Sequence, residues 1–209
     1  MNAFVTGGAG YIGSVCVEEL IKAGHNVTVY DNLSEGHRSA VDPRAGFVRG
    51  DLNEEERLIQ ALQAAKAEAI LHFAANALVG ESMANPGKYF RNNVASGLNL
   101  LEAAVAVGIR KFVFSSSCAV YGAPECVPLT EELPARPVNP YGESKWMFEK
   151  MLQWYQRIHG LEFVVFRYFN AAGASDRCGE HHRIETHLIP NVLKVALGRA
   201  PHCEIFGTD

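Results

Sequence analysis

Tyr141 and Lys145 have the spacing in this chain that most directly suggests proton chemistry. They stand four apart in Tyr141-Gly142-Glu143-Ser144-Lys145, which follows the punctuation Pro137-Val138-Asn139-Pro140 and opens a predicted helix to about Ile158. That spacing puts both side chains on one helix face. An ammonium beside a phenol favours the phenolate, which makes a weak acid into a base usable near neutral pH. Alone, a Tyr-x-x-x-Lys pair says almost nothing. Its weight comes from Ser115-Ser116-Ser117, three hydroxyls that end the apolar run Lys111-Phe112-Val113-Phe114. Serines at a strand end also serve ordinary turns.

A second constellation opens the chain. Gly7, Gly10 and Gly13 recur at three-residue spacing in Val5-Thr6-Gly7-Gly8-Ala9-Gly10-Tyr11-Ile12-Gly13, between an apolar strand and a helix. The first glycine can make a tight turn, the second admits a pyrophosphate to the backbone, and the third lets helix pack on strand. The helix N-terminus offers free N–H groups and a positive dipole end to phosphate. A glycine turn without a ligand is the other reading of this segment alone. Asp31 strengthens the first reading, because it lies 18 residues beyond Gly13 and ends the run Asn26-Val27-Thr28-Val29-Tyr30. A carboxylate there accepts hydrogen bonds from the ribose hydroxyls of an adenosine. It would also repel a 2′-phosphate, and no arginine immediately follows it, so NAD is favoured over NADP. The nicotinamide cation would add to the lysine's effect on the Tyr141 phenol.

The elements that must position these groups alternate. Strands are predicted at Ala3–Val5, Asn26–Tyr30, Gly46–Gly50, Ala69–Ala75 and Lys111–Phe114. Helices are predicted from the glycine turn to about Ala23-Gly24, with Val15, Leu20 and Ile21 inward, and from about Pro86 to Val107, with Val94, Leu98, Leu101 and Val105 inward. Alternation with short connections predicts an α/β fold, a Rossmann-type doubly wound parallel sheet with ligands at the carboxyl ends of its strands. Asn32 to Arg38 reads as a loop over the adenosine end. Asp51, followed by Leu52, either bonds the adenine amino group or caps the next helix, and both readings stand. Phe73-Ala74-Ala75 supplies small residues where a backbone can pass close to a cofactor. Asn93 either reaches toward that cofactor or faces solvent. Trp146, Met147, Phe148 and Trp154 read as core packing or a helix-pair interface.

With 209 residues the chain can bury a sizeable core. Its net charge of −4 with no basic run argues against nucleic acid as a partner. No apolar stretch approaches the roughly 20 residues of a membrane span, and the N-terminus lacks the pattern of a signal peptide. The cysteines Cys16, Cys118, Cys126, Cys178 and Cys203 show no close-spaced ligand pair and read as reduced thiols of a cytoplasmic protein. His181, His182 and His187 lack the spacing of a helical metal pair, so no metal is expected.

The chain resembles the extended short-chain dehydrogenases/reductases of the NAD-dependent epimerase/dehydratase family. The likeness is carried by Thr6 to Gly13, Tyr30-Asp31-Asn32, His72 to Ala75, Val79-Gly80-Glu81-Ser82, Asn92-Asn93-Val94, Ser115 to Gly122, Tyr141 to Lys145 and Arg167-Tyr168-Phe169-Asn170. The resemblance implies Ser117, Tyr141 and Lys145 as catalytic residues. It implies NAD held by Gly7, Gly10, Tyr11, Ile12, Gly13, Asp31, Asn32, Asp51 and Leu52. Phe73, Ala74, Ala75, Asn93, Ser115, Tyr141, Lys145 and Tyr168 would complete that site. A UDP-sugar would meet Ser117, Tyr141, Asn170, His187, Leu188, Glu204, Ile205 and Phe206. The implied reaction interconverts UDP-glucose and UDP-galactose by 4-epimerisation through a 4-keto intermediate. Epimerases of other UDP-sugars (glucuronate, pentose, N-acetylhexosamine) and an NAD-binding protein without turnover are the alternatives. Dehydration is disfavoured, since Cys118-Ala119-Val120-Tyr121 holds no acid after the serine. Where some relatives have a cofactor-contacting lysine this chain has Ala77, a subgroup mark. Residues 1–170 would form the NAD-binding domain and 171–209 the beginning of a substrate-binding region that continues in the family. These 209 residues are therefore expected to keep NAD affinity with little turnover. The resemblance also implies a homodimer through the helices after Asn92 and Tyr141.

Overall fold

Apolar strands separated by helices too long for hairpins can pair side by side only in parallel. The computed structural model, which describes residues 1–124, 126–183 and 185–205, has that pairing. β1 (Asn2–Thr6) leads to α1 (Tyr11–Lys22), β2 (Asn26–Asp31), β3 (Gly46–Arg49), α2 (Glu55–Ala64) and β4 (Ala69–His72). Next come α3 (Val79–Ala84), α4 (Pro86–Tyr89), a π turn over Phe90–Ala95, α5 (Ser96–Ala106) and β5 (Lys111–Ser117). The described part closes with α6 (Pro140–His159), β6 (Glu162–Tyr168) and α7 (Leu188–Ala196). All strands run parallel in the order β3-β2-β1-β4-β5-β6. This is a Rossmann-type doubly wound sheet. Its strand order reverses between β1 and β4, and ligands of such sheets lie in the crevice at that reversal.

Both faces of the central strands are covered, which is why they read as continuous apolar runs. Phe4 joins Ile70, Leu100, Leu101, Phe112, Phe148 and Leu152 on the face under α2, α5 and α6. Its neighbours Ala3 and Val5 join Val17, Val27 and Val29 on the face under α1. Each large side chain so buried contributes about 1.5–3 kcal/mol. α6 is bounded by its sequence. Asn139 Oδ1 accepts from the Gly142 N–H at 2.8 Å, Pro140 opens the first turn, and Gly160 ends the helix in the left-handed conformation.

The structure departs from the sequence expectations in several places. The inward apolar residue of α1 is Val17, with Leu20 and Ile21 partly buried and Val15 outside that cluster. In the segment after Pro86, the π turn rotates the face that follows it. The buried residues are therefore Leu100, Leu101, Ala103 and Ala104, while Leu98 is 40% exposed. β4 ends at His72, so Phe73-Ala74-Ala75 is loop rather than strand. β6 was not expected at all. Phe148 is core, whereas Trp154 is exposed. Among the described residues, no helix is long and apolar enough to cross a membrane.

Candidate active site

The glycine turn forms the floor of the crevice. Gly7 has φ +73°, and a Cβ there would lie 2.4 Å from the Ala74 nitrogen, so backbone conformation and strand-end contact both require glycine. A Cβ on Gly13 would lie 2.2 Å from the Gly7 carbonyl oxygen. At Gly10 the nearest atom would be 3.4 Å away, which leaves the surface open to an approaching group. Gly10 is also the N-cap of α1, and no side chain caps that helix among the described residues. Tyr11, Ile12 and Gly13 line the cavity beside it. Free N–H groups at an uncapped, glycine-lined helix start fit a diphosphate.

On one side of the turn, a hollow of about 100 Å³ is lined by Gly7, Gly10, Asp31, Asn32, Asp51, Leu52, Phe73, Ala74 and Ala75. Asp31 is buried, and its two oxygens accept from the Ala9 N–H at 3.0 Å and the Leu33 N–H at 2.8 Å. Each oxygen keeps a lone pair for a further donor. Asp51 accepts from Asn32 Nδ2 at 2.7 Å and from the Asn53 N–H at 3.0 Å. Burial pushes this carboxyl up, but the Asn53 and Asn32 hydrogen bonds prevail and hold it below the usual range. Asp51 does not cap α2, which starts at Glu55; it closes the turn that precedes it.

On the other side lies a cavity of about 750 Å³ lined by Ser115, Ser117, Tyr141, Lys145, Tyr168, Asn170, His187 and Leu188. β5 continues three residues past the point paired with His72, and so carries the serines to the sheet's carboxyl edge. Ser117 Oγ accepts from the Ala119 N–H at 3.2 Å. Lys145 is buried, donates to the Ser115 carbonyl at 2.8 Å, and lies 5.9 Å from the Tyr141 ring centre. Burial pulls its ammonium down to about 7, with Glu149 pushing the other way. Burial holds the Tyr141 phenol above its ordinary value, and the Ser117 hydroxyl bonded to it offsets this only in part. The shared helix face is as the spacing predicts, but Ser117, not Lys145, is the group seen lowering the phenol. Behind them Glu149 accepts from Ser116 Oγ at 2.5 Å and pairs with Arg167 at 2.7 Å. His72 is bonded to Thr6 Oγ1 at 2.7 Å and enclosed by Phe112, Phe114 and Phe148; burial, with Lys145 nearby, pulls it down to about 3.

Three expected site residues fall elsewhere. Asn93 is buried and faces neither solvent nor either cavity. Its oxygen accepts from the Asn76 N–H at 2.9 Å, and its nitrogen donates to the Asn76 carbonyl and Ser144 Oγ, each at 3.0 Å. It therefore positions the loop after β4 against α6. Glu204 and Ile205 are exposed and line neither cavity, because the described residues after α7 pair with no strand of the sheet. Phe206 lies outside the described residues. Sequence reasoning missed Asn76 and Arg177, which line the larger cavity, and Ser144, the partner of Asn93. None of the three carries a motif signal. The spacing argument against a metal tested only a helical pair. The loop before α7 instead gathers Glu180, His182, Glu185 and His187, with their ligating atoms all within 4.8 Å of one another.

Strand order and crevice thus define a Rossmann-type doubly wound protein. The model of the NAD dependent epimerase/dehydratase family matches residues 3–209, and the chain belongs to that family. It is 49% identical to the UDP-glucose 4-epimerase of Lacticaseibacillus casei, over all of this chain and 64% of that protein. It is 48% identical to that of Rhizobium meliloti, again over 64% of the relative. The chain therefore spans about 64% of the length of the curated relatives it matches. Among solved structures, UDP-glucose 4-epimerase from Brucella ovis in complex with NAD superposes with a TM-score of 0.96 at 45% identity. That match covers 99% of this chain and 64% of the other. The Stenotrophomonas maltophila UDP-glucose-4-epimerase with bound NAD and formylated UDP-arabinopyranose gives 0.94 at 36% identity, covering 99% and 65%.

Proposed function

We propose that this chain carries the NAD-binding and catalytic part of a UDP-glucose 4-epimerase, residues 1–170 binding NAD and residues from 171 onward beginning the substrate side. The observation that carries this reading is the meeting of Ser117, Tyr141 and Lys145 in one cavity with the uncapped N-terminus of α1. When bound, NAD supplies the group that accepts and returns a hydride at C4 of the sugar. Asp31 holds the adenosine ribose and the start of α1 the diphosphate. Tyr141, as phenolate, takes the proton of the sugar's 4-hydroxyl and returns it to the 4-keto oxygen after the sugar has turned over. Ser117 donates a hydrogen bond to that same oxygen. Lys145, drawn to about 7 by burial, supplies positive charge under the ring and toward the nicotinamide ribose. Asn170, His187 and Leu188 line the side that a UDP-sugar enters. Exposed Leu98 on α5 and exposed Trp154 and Ile158 on α6 support a homodimer through these helices, and free thiols support a cytoplasmic setting.

The test is Tyr141→Phe, followed by a coupled assay of UDP-galactose to UDP-glucose conversion and by NAD titration. Turnover is expected to fall by about 10²–10⁴-fold, with NAD affinity retained. Near-normal turnover would remove Tyr141 as the base. A wild-type protein that binds NAD without converting the sugar would leave only the cofactor half of the proposal.

A further inference from the structure

Two histidines and two glutamates in the loop between β6 and α7 point their ligating atoms at one place. His182 Nδ1 lies 3.1 Å from Glu185 Oε2 and 3.4 Å from Glu180 Oε1. His187 Nδ1 lies 3.0 Å from Glu180 Oε1 and 2.9 Å from Glu185 Oε1. The two imidazole centres are 4.7 Å apart. Each Nδ1 thus faces both carboxylates, although a ring nitrogen carries one proton and can satisfy one acceptor at a time. The carboxylates are largely withdrawn from solvent, with side chains 13% and 8% exposed, and no lysine or arginine pairs with either among the described residues.

We infer that Glu180, His182, Glu185 and His187 form a binding site for one divalent metal ion of the zinc type. Zinc takes imidazole nitrogen at about 2.0–2.1 Å and carboxylate oxygen at about 2.0–2.2 Å, so neighbouring ligands of a tetrahedral site stand about 3.3 Å apart. The imidazole–carboxylate separations of 2.9–3.4 Å, which use both oxygens of Glu185, lie near that value, and with one ligating atom per residue the four lie within 4.8 Å of one another, so an ion would draw the widest pair together. Two neutral imidazoles and two carboxylates also match a doubly positive ion in charge, and their hardness suits zinc. Four protein ligands close the coordination shell, which makes the site structural rather than catalytic. Its place gives it a task. The described residues from Phe169 to His187 form no helix or strand, and His187 is the N-cap of α7, whose Leu188, Ile189 and Pro190 line the larger cavity. An ion at this point fixes the loop to the start of α7 and so fixes that wall.

The experiment uses chelator-stripped protein and zinc chloride, with metal content read by mass spectrometry after desalting and affinity read by calorimetry. About one zinc per chain is expected, with Glu185→Gln and His182→Ala each weakening binding by about 100-fold or more. His181→Ala, which touches His37 rather than the cluster, should bind as the wild type does. Circular dichroism checks that each variant is folded. A second measurement does not depend on the variants. Trypsin should cut at Arg177 and Arg183 about tenfold more slowly with zinc than with chelator. Absence of retained zinc, equal retention by Glu185→Gln, or cleavage indifferent to zinc would each overturn the site and leave a set of hydrogen-bonded ion pairs.

Discussion

The two ends of the crevice are built by different means. At the cofactor end, the turn lies on β1, β2 and β4, where Val5 and Val29 are fully buried and Asp31 is held by two backbone N–H groups. At the other end, α7 buries none of its residues, and Leu188, Leu193 and Leu197 are each more than half exposed. That wall is tied to the rest by single contacts. Tyr11 donates to the Gly173 carbonyl at 2.6 Å, Ser175 to Glu18 at 2.6 Å, and the Cys178 thiol to the Ala40 carbonyl at 3.3 Å. The shape of the first end and the stability of the fold are therefore one property. The residues before α7 meet the rest of the fold through these hydrogen bonds.

Substitutions should separate the two ends. Gly13→Ala places a methyl group against backbone and should cost about 3 kcal/mol or more in urea unfolding, and abolish NAD binding with it. Leu193→Ser on α7 should shift the same measurement by less than about 0.5 kcal/mol. Equal shifts would erase the distinction. Asp31→Ala strands the Ala9 and Leu33 N–H groups, so it should cost about 1–3 kcal/mol of stability as well as weaken NAD binding by about 2 kcal/mol and narrow the preference over NADP. Titration with both cofactors checks this, and an unchanged ratio would show that Asp31 does not read the ribose. Acid should strike the sheet first. His72 is held neutral down to about 3, so below its unfolded value the unfolded chain takes up a proton that the folded one refuses. Stability then falls as pH drops from about 6.5 toward 3, by up to about 1.4 kcal/mol per unit. His72→Gln should flatten that dependence in urea titrations between about pH 7 and about pH 4.5. A local effect belongs to Ser175→Ala, which removes the hydrogen bond donated to Glu18 and those accepted from the Arg177 and Cys178 N–H groups. About 1 kcal/mol lost locally should speed tryptic cleavage at Arg177 roughly fivefold, without moving the urea midpoint.

The same divide governs what could be read beforehand. The glycine turn, Asp31, the serine-ended strand and the Tyr141–Lys145 face are local patterns, and each lies on or beside an element whose periodicity declares it. β6 was not legible, because Phe163-Val164-Val165-Phe166 is apolar on both faces, and periodicity alone cannot tell such a run from a buried helix segment. The π turn inserts a register change that no residue type announces, and it misplaced the inward face of α5. Asn93 was misread because its partners, Asn76 and Ser144, lie 17 and 51 residues away. The cluster before α7 was missed because its geometry comes from a loop, where spacing along the chain does not fix distance in space.

The Asn93 amide has a mechanical consequence. It clasps the loop after β4 from within the π turn and donates to Ser144, whose own hydroxyl donates to the Tyr141 carbonyl at 2.7 Å. The loop after β4, which lines both cavities, is thereby joined to the first turn of α6 by one continuous chain of hydrogen bonds through a carboxamide that lines neither cavity itself.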